Sequence, residues 1–127
     1  MNVLFVCVQN AGRSQIAEAF FQRAADAGHS ARSAGTRPAD ALHEGVVEAM
    51  HEVDVDLTGK KPRRLVREDA EWADIVVTMG CGDECPLVPR TRYVDWDLED
   101  PAGKSTSEVR AIRDEIRRRV DALVAGL

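Results

Sequence analysis

Two predominantly apolar runs, NVLFVCV at 2–8 and ADIVVTM at 73–79, do most to narrow what this chain can fold into. Each has the length of a strand and no polar side, so each must be covered on both faces. Between and after them the apolar spacing turns helical. SQIAEAFFQRAADAG, from 14 to a stop at Gly28, carries Ile16, Ala17, Ala19, Phe20 and Ala24 in phase. ALHEGVVEAMHEV does the same with Leu42, Val46, Met50 and Val53, and a polar helical stretch covers Arg67 to Trp72. SARSAGT and TRYVDW read as two further short strands, and the segment after Ser105 as a closing helix with Val109, Ile112, Ile116, Val120 and Leu123 aligned. Strands that alternate with helices predict an α/β fold, a four-stranded parallel sheet flanked by helices on both faces. With 127 residues, one domain spanning 1–127 accounts for the length.

Composition removes several classes of function. The charged fraction of 31% and the hydrophobic fraction of 44% are those of a globular chain, and no apolar run approaches the 18 or more residues of a membrane span. A net charge of −5 argues against nucleic acid as a general partner. The N-terminus has neither a basic stretch nor a small-residue cleavage site, so a cytoplasmic location is expected. Three cysteines, an odd number, point away from a disulfide framework and towards thiol chemistry or a metal.

The first strand ends on a thiol, Cys7, and the loop Val8-Gln9-Asn10-Ala11-Gly12 leads to Arg13 and Ser14. A loop of small and polar residues between strand and helix can turn backbone N–H groups inward, and the helix N-terminus adds its partial positive charge. Arg13 supplies a planar fork for two oxygens of an anion. The same positive field favours the thiolate form of Cys7, to which Ser14 can donate its hydroxyl. Asn10 and Gly12 are expected to provide the positive φ angles of a tight loop. In a parallel sheet ligands gather beyond the carboxyl ends of the strands. Cys7, the Cys81–Cys85 segment and DLEDPAG at 97–103 are therefore expected on one rim.

CVQNAGRS followed by QIAEAF resembles the C-x5-R-S loop of the low-molecular-weight protein tyrosine phosphatase superfamily, and more closely its arsenate reductase branch. SAGTRPADALHEGVVEAM, DIVVTMGCGDECP and WDLEDPAG continue the likeness in order along nearly the whole chain. The resemblance implies the low-molecular-weight phosphatase-like fold, Cys7 as nucleophile, Arg13 as anion binder and Asp100 as general acid. Independently, in-line attack on a tetrahedral oxyanion requires an acid opposite the nucleophile to protonate the departing oxygen, and Pro101 would stiffen the loop that carries it. Glu18 and Ser33 match positions that help hold the anion loop in related reductases.

The later cysteines bear on which reaction follows. A phosphatase hydrolyses its cysteinyl intermediate with water, whereas arsenate reduction needs a second thiol. Cys81 is the candidate to attack the arsenylated Cys7, and Cys85 the candidate to resolve the resulting disulfide, with thioredoxin restoring the pair. Only Gly82, Asp83 and Glu84 separate the two, closer than in thioredoxin-linked relatives. A transfer of arsenate to mycothiol, completed by a glutaredoxin-like partner, is the alternative. An external thiol reductant is expected either way, with no tightly bound cofactor and no metal. Phosphate or sulfate would compete with arsenate. A tyrosine phosphatase is a further reading, weakened by Ala102 and Gly103 where an aromatic wall would be wanted. A non-catalytic thiol site for arsenic or a metal is another, opposed by Arg13. The histidines at 29, 43 and 51 and the basic run at Lys60, Lys61, Arg63 and Arg64 are expected to be solvated, with one of those cations free to steer anions.

Overall fold

The computed structural model describes residues 1–80 and 91–127. Among them four strands form one parallel sheet: β1 (Asn2–Cys7), β2 (Ser30–Gly35), β3 (Ile75–Thr78) and β4 (Arg92–Asp95), in the order β2-β1-β3-β4. The helices are α1 (Arg13–Ala24), α2 (Glu44–His51), α3 (Arg67–Trp72) and α4 (Thr106–Ala125). No helix of the described residues is long and apolar enough to cross a membrane.

The alternation of side chains along β1 divides the core in two. Val3, Phe5 and Cys7 face a large cluster with Ile16, Phe20 and Phe21 of α1, Met50 of α2, and Ile112, Ile116 and Val120 of α4. Leu4 and Val6 face the opposite side, where they meet Val76, Leu65 and Trp72, close to α3. Burial on both faces is why β1 reads as an unbroken apolar run. It also places the Cys7 side chain on the α1 side, beneath the start of that helix.

The chain leaves β1 for β2 on one flank and then returns past β1 to β3 on the other. The crevice beyond the carboxyl ends of β1 and β3 is thus the switch point where α/β sheets collect their ligands. Helix α1 ends earlier than its apolar spacing predicts, at Ala24 rather than near Gly28. Ala25 is already extended, and Asp26 closes a turn by accepting from the N–H of His29. Helix α2 is similarly trimmed to Glu44–His51, with Leu42 and Val53 packing on the core from outside it. Helix α4 starts with a capping box, in which the Ser105 hydroxyl accepts from the Glu108 N–H and the Glu108 carboxylate accepts from the Ser105 N–H.

A cluster of ions ties α2 to α4. Arg113, buried, donates to the carbonyl of Ala49 at 2.8 Å and to Glu52 at 2.9 Å, while Arg110 forms a two-pronged pair with the same carboxylate. Hydrogen bonds from Arg110 first, and from Arg113 after it, hold Glu52 at about 2 instead of 4.5. A depressed carboxylate stabilises the fold above its unfolded value and loses that contribution as pH falls towards the folded one. The melting-temperature gap between the wild type and Glu52→Gln should therefore be constant above about pH 5 and close as the pH is lowered towards 2. A gap that does not narrow below pH 4.5 contradicts this.

Candidate active site

The loop after β1 has its carbonyl groups occupied from outside. Cys7, Val8, Gln9 and Ala11 accept hydrogen bonds from the N–H groups of Thr36, Arg37, Ala39 and His43, at 2.8 to 3.2 Å. The carbonyl of Gly12 accepts from Ile16 in the first turn of α1. In a trans peptide the N–H points opposite to the preceding carbonyl, and no described peptide is cis. The N–H groups of Val8, Gln9, Asn10 and Gly12 are therefore turned away from the 36–43 segment, and the Arg13 N–H points out of the N-terminus of α1. The Asn10 N–H lies 3.3 Å from Cys7 Sγ, on the inner side.

Helix α1 adds to this cradle. It has no acidic residue in its first turn and no side-chain cap from Gly12, so its leading N–H groups are left to an incoming anion. Cys7 is 2% exposed, and its sulfur also meets Ser14 Oγ at 2.9 Å. Asn10 adopts a left-handed backbone with φ 51°, as its place in the loop predicts. Gly12 does not: its φ is −145°. What calls for glycine there is space, since a Cβ would stand 2.7 Å from Pro101 Cγ. That contact seats the Asp-Pro loop on the anion loop.

Arg13 opens α1 and is 8% exposed. One guanidinium nitrogen donates to the carbonyl of Leu98 at 3.3 Å and the other lies 3.8 Å from Asp100 Oδ2. The second Asp100 oxygen accepts from the Ala102 N–H at 3.0 Å, which orients the half-exposed carboxyl. Gly80, with φ +91°, packs close to the same guanidinium, where a Cβ would be 2.7 Å from Arg13 Nη1. The fold thus brings Cys7, Arg13, Ser14 and Asp100 to one rim. Cys81 and Cys85 lie outside the described residues.

Several surrounding residues depart from their expected roles. His43 is half-buried at the start of α2, with its backbone on the loop carbonyl of Ala11 and its ring beside Gly12. The basic run is not simply a solvated loop, because the Lys61 carbonyl accepts from Gln15 and the Arg63 N–H donates to Asn10 Oδ1 at 3.0 Å. Gln15 also donates to Asn10 Oδ1, at 3.0 Å. Glu18 accepts from the Ser33 hydroxyl and so joins α1 to β2, whereas Asn10 is held by Gln15 and Arg63. In the sequence Gln15 was one polar position of an amphipathic helix, and nothing local marked its burial.

A family model described as low molecular weight phosphotyrosine protein phosphatase matches residues 2–127. A Halobacterium salinarum protein whose name proposes an arsenate reductase is 44% identical over 121 residues, 91% of this chain and 85% of that one. A Synechocystis protein named glutaredoxin arsenate reductase is 33% identical over 98% of this chain and 97% of its own. Among solved structures, a thioredoxin-dependent arsenate reductase of Corynebacterium glutamicum superposes with a TM-score of 0.87 at 39% identity. The match covers 98% of this chain but 60% of that longer one.

Gly80 and Gly59 separate contact from backbone strain. Both have positive φ, but a Cβ at Gly59 meets nothing within 4 Å. Alanine costs roughly 1 kcal/mol in backbone strain at either site, and only at Gly80 does it displace Arg13. Calorimetric titration with phosphate should show affinity reduced about tenfold or more in Gly80→Ala, the loss of one charge-assisted contact, and unchanged in Gly59→Ala. Equal affinities in the two variants would remove Gly80 from the site.

Proposed function

We propose, from the premise that this chain belongs to the low molecular weight phosphotyrosine protein phosphatase family and groups with its arsenate reductases, that it reduces arsenate to arsenite through Cys7. The observation that carries the reading is the convergence of the Asn10 N–H and the Ser14 hydroxyl on Cys7 Sγ, with Arg13 and Asp100 at the same rim. Arsenate occupies the amide cradle and shares two oxygens with Arg13. The Cys7 sulfur attacks arsenic, an As–O bond breaks, and Asp100 gives the departing oxygen its proton, so that water leaves.

Reduction is a separate step. A second thiolate attacks the Cys7 sulfur, the S–As bond breaks, and its electron pair stays on arsenic, which leaves as arsenite. Two thiols have then become one disulfide and arsenic has gained two electrons. Cys81 is the attacking thiol in this scheme. Cys85 next displaces Cys7, forming a Cys81–Cys85 disulfide that an external dithiol such as thioredoxin reopens. The second route, in which mycothiol supplies the electrons and a glutaredoxin-like partner finishes the cycle, uses the same Cys7 chemistry. Relatives named for thioredoxin and for glutaredoxin both resemble this chain.

The small residues that follow Pro101 support a bare inorganic anion over an aryl phosphate. Pro101 is followed by exposed Ala102 and by Gly103 at φ +71°. Trp96 is buried against Phe5, and Trp72 stacks under Arg32.

Cys7→Ser should abolish arsenate-dependent oxidation of the reductant, and retained turnover would end the scheme. Asp100→Asn should lower kcat by about 10² to 10⁴, the usual contribution of a general acid. The relay is tested by Cys85→Ser, which should lose thioredoxin-coupled turnover. If that variant still turns over with thioredoxin, or if mass spectrometry of arsenate-treated wild type shows no internal disulfide, the external-thiol route replaces the relay.

A further inference from the structure

We propose that Arg63 is a positioning residue for Cys7, acting from the far side of the anion loop through the side chain of Asn10. The proposal deepens the reading of Cys7 as nucleophile and rests on it. Arg63 meets the loop at the Asn10 side chain, not at the sulfur.

An amide side chain can face either way, and a hydroxyl can donate or accept, so the side-chain contacts that lead to Cys7 have no inherent direction. The Arg63 N–H supplies one. It can only donate, and it lies 3.0 Å from Asn10 Oδ1, which must therefore be the acceptor. Gln15 agrees independently: its Nε2 also donates to the carbonyl of Lys61, so it too presents a donor to that oxygen. The Asn10 amide nitrogen then faces Ser14 Oγ at 2.6 Å and can only donate. With that lone pair of the hydroxyl engaged, the one Ser14 proton is left for Cys7 Sγ at 2.9 Å. The direction of the last bond, the one that counts for a nucleophilic sulfur, is decided three groups away, at the Arg63 N–H.

Arg63 holds its own N–H in place with its guanidinium. Nη1 donates to the carbonyl of Ser33 at 2.7 Å and Nη2 to Asp69 Oδ1 at 2.6 Å, while the Arg63 carbonyl accepts from the Gly35 N–H. Asp69 is 1% exposed on α3, and it is further fixed by the Val66 N–H and by Arg32. A planar fork reaches both anchors at once, and a lysine ammonium cannot reproduce that span. Among the described residues the ionisable groups around the anion loop include Arg13 of α1, Arg37 after β2, His43 before α2 and Asp100 after β4, and the substitutions below leave these in place.

The test measures the rate of Cys7 alkylation by iodoacetamide across pH, in a full-length Cys81→Ser/Cys85→Ser background. Arg63→Lys keeps the charge and loses the brace; Arg63→Ala loses both; Arg64→Ala loses one neighbouring charge and no brace. The half-maximal pH should move upward in Arg63→Lys and further in Arg63→Ala, with a several-fold slower rate below it, and should stay put in Arg64→Ala. A folded Arg63→Lys with the wild-type profile overturns the proposal, as does an Arg64→Ala shift equal to that of Arg63→Ala. Amide hydrogen exchange of the unaltered protein is a second readout: the Arg63 N–H should be protected, and exchange at the free-chain rate overturns it as well. Neither measurement involves arsenate turnover, so failure here leaves the proposed reaction standing, and loss of that reaction leaves this result interpretable.

Discussion

The site depends on where the carbonyl groups of one short loop are sent. A peptide that presents its N–H to an anion must find another partner for its C=O, since a buried carbonyl left unpaired costs on the order of 1–3 kcal/mol. Residues 36–43 provide those partners, meeting the carbonyls of Cys7, Val8, Gln9 and Ala11 in turn. A run of four backbone bonds on the outside of the loop therefore produces the positive field on its inside. The charge of Arg13 is added to a field that the backbone has already set up.

That outer segment begins where β2 ends, so the cradle is a consequence of strand pairing. Cys7 pairs with Gly35 in the parallel register of β1 and β2, and the chain continues from Gly35 directly into Thr36. Gly35 itself is forced by proximity, since a Cβ would lie 2.7 Å from the carbonyl oxygen of Val8 and 3.0 Å from Asn10. On its other side the backbone of residues 63–65 pairs with the same glycine. Loop, second strand and basic run are thus three layers of backbone stacked edge to edge at the sulfur.

Much of this was legible in the sequence, and the part that was not has a common cause. The buried runs, the helical spacings and the expected meeting of the first loop with the Asp-Pro segment follow from local pattern plus the rule for ligand sites in parallel sheets. Gly12 shows where local pattern misleads. A glycine in a tight loop suggests positive φ, yet here it makes room for Pro101, 89 residues further on. Arg63 and His43 escaped for the same reason. Each reads as an exposed polar side chain in its own segment, and each acquires its contact from a chain segment remote in sequence.

The overall charge of −5 is no obstacle to holding a doubly charged anion, because distance and direction weigh more than total charge. At physiological salt a surface charge is largely screened beyond about 8 Å, while amides in the loop act at contact distance in a water-poor site. The carboxylates Asp97, Glu99, Glu108 and Glu115 line a groove against α4, and only Asp100 of that acidic stretch is paired with Arg13. The same directed field discriminates among ligands of the sulfur. Inward N–H groups and a guanidinium favour an oxyanion and repel a metal cation, which makes a thiol-based metal site the least compatible use of Cys7. In the proposed reaction, selection of the arriving atom is thus made by the backbone before any sulfur chemistry begins.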